Sequence, residues 1–286
     1  MLWKGRRTSD NVEDRRGMTG RRVAVGGGLG AIAIAVIVLL LGGNPEEVMQ
    51  SIQTAPPAGQ EQAQALSQED KELGEFVGVI LADTEDVWNQ VFRQAGEQYR
   101  EPKLVLFTNA TESACGYAQS ATGPFYCSGD EKVYIDLGFF QEMQQRLGAR
   151  GDFAWAYVIA HEVGHHVQNL LGVMQQANER MQGSPSQEES NRILVRLELQ
   201  ADFLAGVWAH HAQRMKNLLE QGDIEEGLNA ASSVGDDRIM KQQQGTVVPD
   251  AFTHGTSEQR VRWFSKGLKT GDIEQGDTFS VPYERL

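Results

Sequence analysis

Helical and extended patterns divide this chain into recognisable stretches. In FAWAYVIAHEVGHHVQNLL at 153–171, the residues Val158, Ile159, Val163, Val167, Leu170 and Leu171 recur at helical spacing and predict a buried helix. Further upstream, Phe76, Val79, Ile80, Val87, Trp88, Val91 and Phe92 recur at intervals of three and four and predict a helix over Glu69–Arg100, closed by Pro102. KLVLF at 103–107 and KVYID at 132–136 read as short strands. Between them 108–131 reads as an irregular loop, and 138–147 reads as a short helix. Asp152 is the expected N-cap of the central helix and Gly172 its expected stop.

Residues 173–185 read as loop. Ser186 then opens a long helix to about Leu219, with Ile193, Leu194, Leu197, Ala201, Leu204, Ala205 and Trp208 as its apolar stripe. Residues 222–250 read as a short helix followed by loop, and Ser257–Gly267 as a final helix. Strands cluster before helices, and helices dominate. The expected class is α+β, mainly helical, with a small β-sheet preceding the central helix.

The first 68 residues carry no such pattern. Residues 1–22 are polar, with Lys4, Arg6, Arg7, Arg15, Arg16, Arg21 and Arg22 against Asp10, Glu13 and Asp14, and read as a disordered basic tail. Val23–Gly43 is uncharged and long enough to span a bilayer, so one N-terminal transmembrane helix is expected. A cleaved signal peptide would have a shorter apolar region and a better cleavage site than Asn44-Pro45-Glu46-Glu47. The positive-inside rule then keeps 1–22 cytoplasmic and puts the rest extracytoplasmic, at the periplasmic or cell-surface side of the membrane. Residues 44–68, with Pro56-Pro57 and a Gln/Ala-rich run, read as a linker, leaving 69–286 as the folded domain.

The formal charge of -13 is concentrated after the basic tail. An acidic body argues against nucleic acid as a partner, since no basic face is offered to phosphates. Cys115 and Cys127 form no C-x-x-C motif. A local disulfide is expected if the domain lies in an oxidising compartment, and two buried thiols if it does not.

The candidate chemistry sits on the central helix. His161-Glu162-Val163-Gly164-His165 fits H-E-x-x-H. Positions i and i+4 share one helix face, so His161 and His165 can hold one metal ion while Glu162 takes a proton from an attacking water. A metzincin would continue this motif with a glycine and a third histidine, where this chain has Gln168 and Leu171. The third ligand is therefore expected on the long helix, in Glu198-Leu199-Gln200-Ala201-Asp202. Glu198 is the candidate ligand. Asp202, one turn on, is the candidate acceptor from a ligand histidine's second nitrogen. A solvated Glu/Asp pair is the ordinary reading of such spacing, but Leu197, Ala201, Phe203 and Leu204 surround it with apolar neighbours. His166 faces away from His165, and surface or supporting roles suit His210 and His211. His254, in a Thr-His-Gly-Thr loop, is a candidate catalytic residue because such loops fold back over sites.

HEVGHHV at 161–167, LELQADFLAGVWAHH at 197–211 and FTHGTSEQRVRWF at 252–264 closely resemble the putative neutral zinc metallopeptidase family of bacterial membrane-anchored proteins. ESACG, GPFYC and KVYIDLGFF at 112–140 resemble it too. The resemblance runs from the apolar segment to the last helix. It implies a zincin-like, gluzincin-like peptidase domain with one Zn²⁺ per chain and a peptide or protein substrate. More distant membrane-linked gluzincins place a Thr-His and a later Arg after the E-x-x-x-D helix. By that likeness His254 steadies the oxyanion and Arg260 supports the site.

The expected activity is zinc-dependent peptide-bond hydrolysis with Glu162 as general base. Strand Lys132–Asp136 is expected to pair with an extended substrate. The rivals are a zinc hydrolase of cell-wall amides and a membrane-tethered, non-catalytic binding protein with a metal site. A purely structural site needs no general base, which counts against the last. His₂Glu suits zinc, although cobalt or manganese would also bind.

Overall fold

The computed structural model describes residues 1–17, 66–119 and 123–286. Two units emerge. One comprises Met1–Arg15 with Gln68–Leu286; the other is Arg16–Ser67, most of which lies outside the described residues.

The first unit is mainly helical α+β. Helix α1 (Gln68–Gln94) buries Phe76, Val77, Ile80, Leu81 and Trp88. It ends before the expected Arg100. A four-stranded sheet has the order β1 (Val12–Asp14), β2 (Lys103–Phe107), β6 (Lys132–Asp136), β5 (Phe125–Cys127). β1, β2 and β6 run parallel, and β5 is antiparallel to β6. The period of two decides which side chain faces which way. Leu104, Leu106, Val133 and Ile135 enter the main core, while Val105, Phe107, Tyr134 and Cys127 form a smaller cluster on the other face.

Residues 108–131 contain more structure than the expected loop. β3 (Ala110–Ser113) and β4 (Gly116–Gln119) form an antiparallel hairpin. A Cys115–Cys127 disulfide ties its turn to β5. Strands of three or four residues on an exposed ribbon carry too few apolar positions to show a period of two.

After the sheet come α2 (Gly138–Glu142), a π-turn (Met143–Leu147) and α3 (Asp152–Leu170). The N-cap of α3 is Gly151, with φ 99°, and Asp152 is the first helical residue. Gly172, at φ 75°, separates α3 from α4 (Val173–Gln182). The expected loop at 173–185 is thus mostly helix. Only Ala177 of α4 is buried, so no apolar stripe betrays it, and its Met, Gln, Glu and Arg residues are good helix formers.

Helix α5 (Gln187–Lys216) starts at Ser186, whose hydroxyl accepts from the Glu189 N–H at 3.2 Å. The segment 222–250 holds two helices, α6 (Asp223–Ser233) and α7 (Asp236–Gln244). A Thr256–Gln259 capping box opens α8 (Ser257–Thr270).

Two glycines let α5 and α8 cross closely. A Cβ on Gly206 would lie 2.2 Å from the Phe264 carbonyl oxygen, and one on Gly267 would lie 2.0 Å from that of Phe203. Gly164, inside H-E-x-x-H, does the same for α3 against α5, where a Cβ would meet the Ala201 carbonyl oxygen at 3.0 Å. Ala201 lies between Glu198 and Asp202, so this glycine sets how near the acids come to the histidines.

The N-terminal expectation is corrected. No helix among the described residues is long and apolar enough to cross a membrane; the expected span over 23–43 lies outside them. Nor is the start of the chain a detached tail. β1 pairs with β2, and Trp3 meets Phe76 edge-on at 5.4 Å. Arg6 pairs with buried Asp83 at 2.8 Å, and Arg7 with buried Glu85 at 3.0 Å. The Met1 ammonium donates to Asp152 at 2.8 Å and to Asp223 at 3.3 Å.

Deleting residues 1–15 strips arginine partners from Asp83 and Glu85 and bares the edge of β2. The expected loss of stability is about 3 kcal/mol: Glu85 is left buried without Arg7, while Asp83 keeps Lys216 at 2.7 Å. Urea unfolding of the two chains measures it, and an unchanged midpoint would make the strap a passenger.

Candidate metal centre

Helix α3 is buried almost all round and presents His161 and His165 from successive turns. Their rings stand nearly perpendicular, at 87°, with centroids 4.9 Å apart. Glu198 comes from α5 and faces both. Its Oε2 lies 3.2 Å from His161 Nε2, and its Oε1 lies 3.4 Å from His165 Nε2. Donors about 2.0–2.1 Å from a tetrahedral zinc sit about 3.3 Å apart. Direct hydrogen bonding would also explain these distances. What favours a metal is that each histidine turns its other ring nitrogen to a separate partner, leaving three donors on one point.

His161 Nδ1 meets Asp202 Oδ1 at 2.9 Å. Asp202 is fully buried, and Arg260 binds both of its oxygens, Nε to Oδ2 at 2.9 Å and Nη2 to Oδ1 at 3.0 Å. The Tyr157 hydroxyl also donates to Asp202 Oδ1 and accepts from Arg260 at 3.2 Å. Asp202 thus lies behind His161, and Arg260 behind Asp202. Tyr157 was missed, because a tyrosine in an apolar helix reads as core.

His254 stands apart from the three-donor cluster, half-exposed, in the loop before α8. Asp236, at the start of α7, organises that loop. Its Oδ2 accepts from the backbone N–H groups of Thr253, His254 and Gly255 at 2.7, 2.6 and 3.0 Å, and Oδ1 faces His254 Nδ1 at 3.3 Å. Asp236 was missed too, since eighteen residues separate it from its partner in sequence. His166 turns away from the cluster, to Tyr126 at 3.0 Å and the Arg100 carbonyl at 2.6 Å. His210 and His211 cap α8, bonding the carbonyls of Leu268 and Gly271.

The charges follow from these contacts. Burial opposes a charge on His161, but Asp202 and Glu198 overcome it and push its pKa up to about 10. Burial likewise opposes a charge on His165, and Glu198 outweighs it, raising that pKa as well. Glu198 is held well below the carboxylate range; burial works against this, and the His165 and His254 charges prevail. Burial lifts the Glu162 pKa despite both histidines nearby, as suits a proton acceptor. Burial is the largest single influence on His254 and lowers its pKa, but Glu198 and Asp236 together raise it above the ordinary value.

The sequence model of the family described as "Putative neutral zinc metallopeptidase" matches residues 1–279. The chain belongs to that family. It is 48% identical over 286 residues to "Uncharacterized protein YpfJ" of Escherichia coli K12, covering 98% of this chain and 99% of that one. It is 41% identical over 216 residues to "Uncharacterized protein Rv2575" of Mycobacterium tuberculosis, covering 72% of each. No solved structure matches it. The match begins at residue 1, in keeping with a strap that belongs to the domain.

Metal binding needs both histidines neutral, and their raised pKa values keep protons in competition. Zinc affinity is therefore expected to fall as pH falls, by about tenfold per pH unit for each proton displaced, between about pH 8 and 6. Chelator competition across that range checks this; a flat profile would remove the histidines as ligands.

Proposed function

We propose that this protein is a zinc-dependent peptidase, with His161, His165 and Glu198 holding the ion. The observation that carries the reading is three donors at metal-ligand spacing, two from α3 and one from α5, with buried Glu162 beside the two histidines on α3. The His₂Glu set fits zinc. A zinc ion bound there supplies a Lewis acid for the scissile carbonyl and a water of lowered pKa.

The protein's own groups do the rest. Glu162 accepts the proton of the attacking water and later delivers it to the departing amine nitrogen. Burial raises its pKa, the direction that suits a group which takes a proton and returns it. His254, whose loop is held by Asp236, is the group assigned here to stabilise the developing oxyanion. Asp202 keeps His161 in the Nδ1–H tautomer, and Arg260 keeps Asp202 ionised.

The substrate-strand expectation needs moving. β6 is interior, paired with β2 along its whole length and with β5 over Lys132–Tyr134, so most of its backbone groups are taken. Among the described residues β5 pairs with β6 alone, and its Tyr126 touches His166 and Asn169 of the histidine helix. The outer edge of β5 is the better place for an extended peptide.

Glu162→Gln is expected to retain zinc and fold while losing about 10²–10⁴ of casein hydrolysis. Activity at the wild-type rate would end the general-base role. A zinc-loaded wild type inactive on peptides but active on cell-wall amides would replace the substrate class. The Cys115–Cys127 bridge supports an oxidising compartment for the domain. Mass spectrometry of the unreduced protein from its native host tests that, and two free thiols would refute it.

A further inference from the structure

His161 has a carboxylate behind it. His165 has an amide. Gln168, one turn along α3, is fully buried, and its Oε1 lies 2.9 Å from His165 Nδ1. Its Nε2 donates to the Leu197 carbonyl at 2.8 Å and to Gln200 Oε1 at 3.0 Å. Gln200 Nε2 in turn donates to the Gly276 carbonyl at 3.0 Å.

This chain of bonds has only one consistent direction. The carbonyl oxygens of Leu197 and Gly276 can only accept. Gln200 must therefore point its nitrogen at Gly276 and its oxygen at Gln168. Gln168 must point its nitrogen at Leu197 and Gln200, and its oxygen at His165. That oxygen also only accepts, so His165 Nδ1 must carry the hydrogen. The lone pair is left on Nε2, the atom that faces Glu198 at 3.4 Å.

We propose that Gln168 is a positioning residue of the metal centre, selecting the ligand-competent tautomer of His165 and tying it to the helix turn that carries Glu198. Leu197 immediately precedes Glu198, so one amide holds a histidine ligand and sets the depth of the carboxylate ligand's turn. The proposal rests on the metal reading above. It makes the two histidines unequal: His161 is polarised by an anion, His165 by a neutral group. A carboxylate at 168 would place a fourth acid beside Glu162, Glu198 and Asp202. The amide gives the same orientation without that charge, and its second function, donation to Leu197, is one an ionised carboxylate cannot perform.

The test uses the full chain and reads zinc affinity by chelator competition, together with the visible absorption of the cobalt-substituted protein. Gln168→Leu is expected to weaken zinc binding by about 10- to 100-fold and to alter the cobalt spectrum. Gln168→Glu, which keeps an acceptor for His165 but loses the donation to Leu197, is expected to keep His165 Nδ1 protonated while recovering only part of that affinity. Val167→Ala, a buried change on the same helix, should lower the unfolding temperature and leave zinc affinity alone. Wild-type affinity in folded Gln168→Leu, or full wild-type affinity in Gln168→Glu, overturns the proposal. Should Gln168→Leu fail to fold, ¹⁵N chemical shifts of His165 in the zinc-loaded wild type decide: hydrogen on Nδ1 supports it, hydrogen on Nε2 overturns it. A wild-type chain that binds no zinc overturns the metal reading itself and this role with it.

Discussion

Asp202 is the group on which the rest of the centre depends. A carboxylate fully removed from water is costly unless its charge is matched and its lone pairs are filled. Here Arg260 supplies the charge through two bonds, and Tyr157 and His161 supply further contacts. Four elements of chemistry are thereby pinned to one point, from α3, α5 and α8. Burial works to raise the pKa of Asp202, and Arg260 and His161 hold it down. A permanently ionised Asp202 fixes His161 in one tautomer, which is what a metal ligand requires.

That point exists only because helices approach closely. Arg260 reaches Asp202 across the α5–α8 crossing, where Gly206 and Gly267 admit backbone to backbone contact. Glu198 reaches the histidines across α3–α5, where Gly164 does the same. In both cases the absent Cβ sits within two turns of a functional side chain. Packing and chemistry are therefore one constraint, not two.

The strap at residues 1–15 shows how an ionic reading can mislead. Its arginines resemble a solvated cytoplasmic tail when taken alone, and an apolar run follows. Yet Arg6 and Arg7 answer Asp83 and Glu85, acids that α1 buries about seventy-five residues later. Unmatched, those acids would be a liability in the core. Matched, they recruit the strap to the sheet edge and so close β2 on its open side.

Much of this protein was legible in one dimension. Helical periodicity located α1, α3, α5 and α8, because each buries an apolar face that repeats within a few residues. H-E-x-x-H and E-x-x-x-D were legible for the same reason: ligands one turn apart are neighbours in sequence as well as space. Residue types alone also singled out Cys115 and Cys127 as a pair. What the sequence could not show depends on contacts between distant segments or on elements without an apolar stripe. α4 and the β3–β4 hairpin expose most of their side chains, so no period marks them. β6 looked like a substrate strand until β5 was seen to occupy its edge. Tyr157, Asp236 and Gln168 have ordinary residue types in ordinary places, and only folding brings them to His161, His254 and His165. The sequence determined which groups could hold and use a metal. Tertiary structure decided how each was oriented, because orientation comes from hydrogen bonds that close across helices.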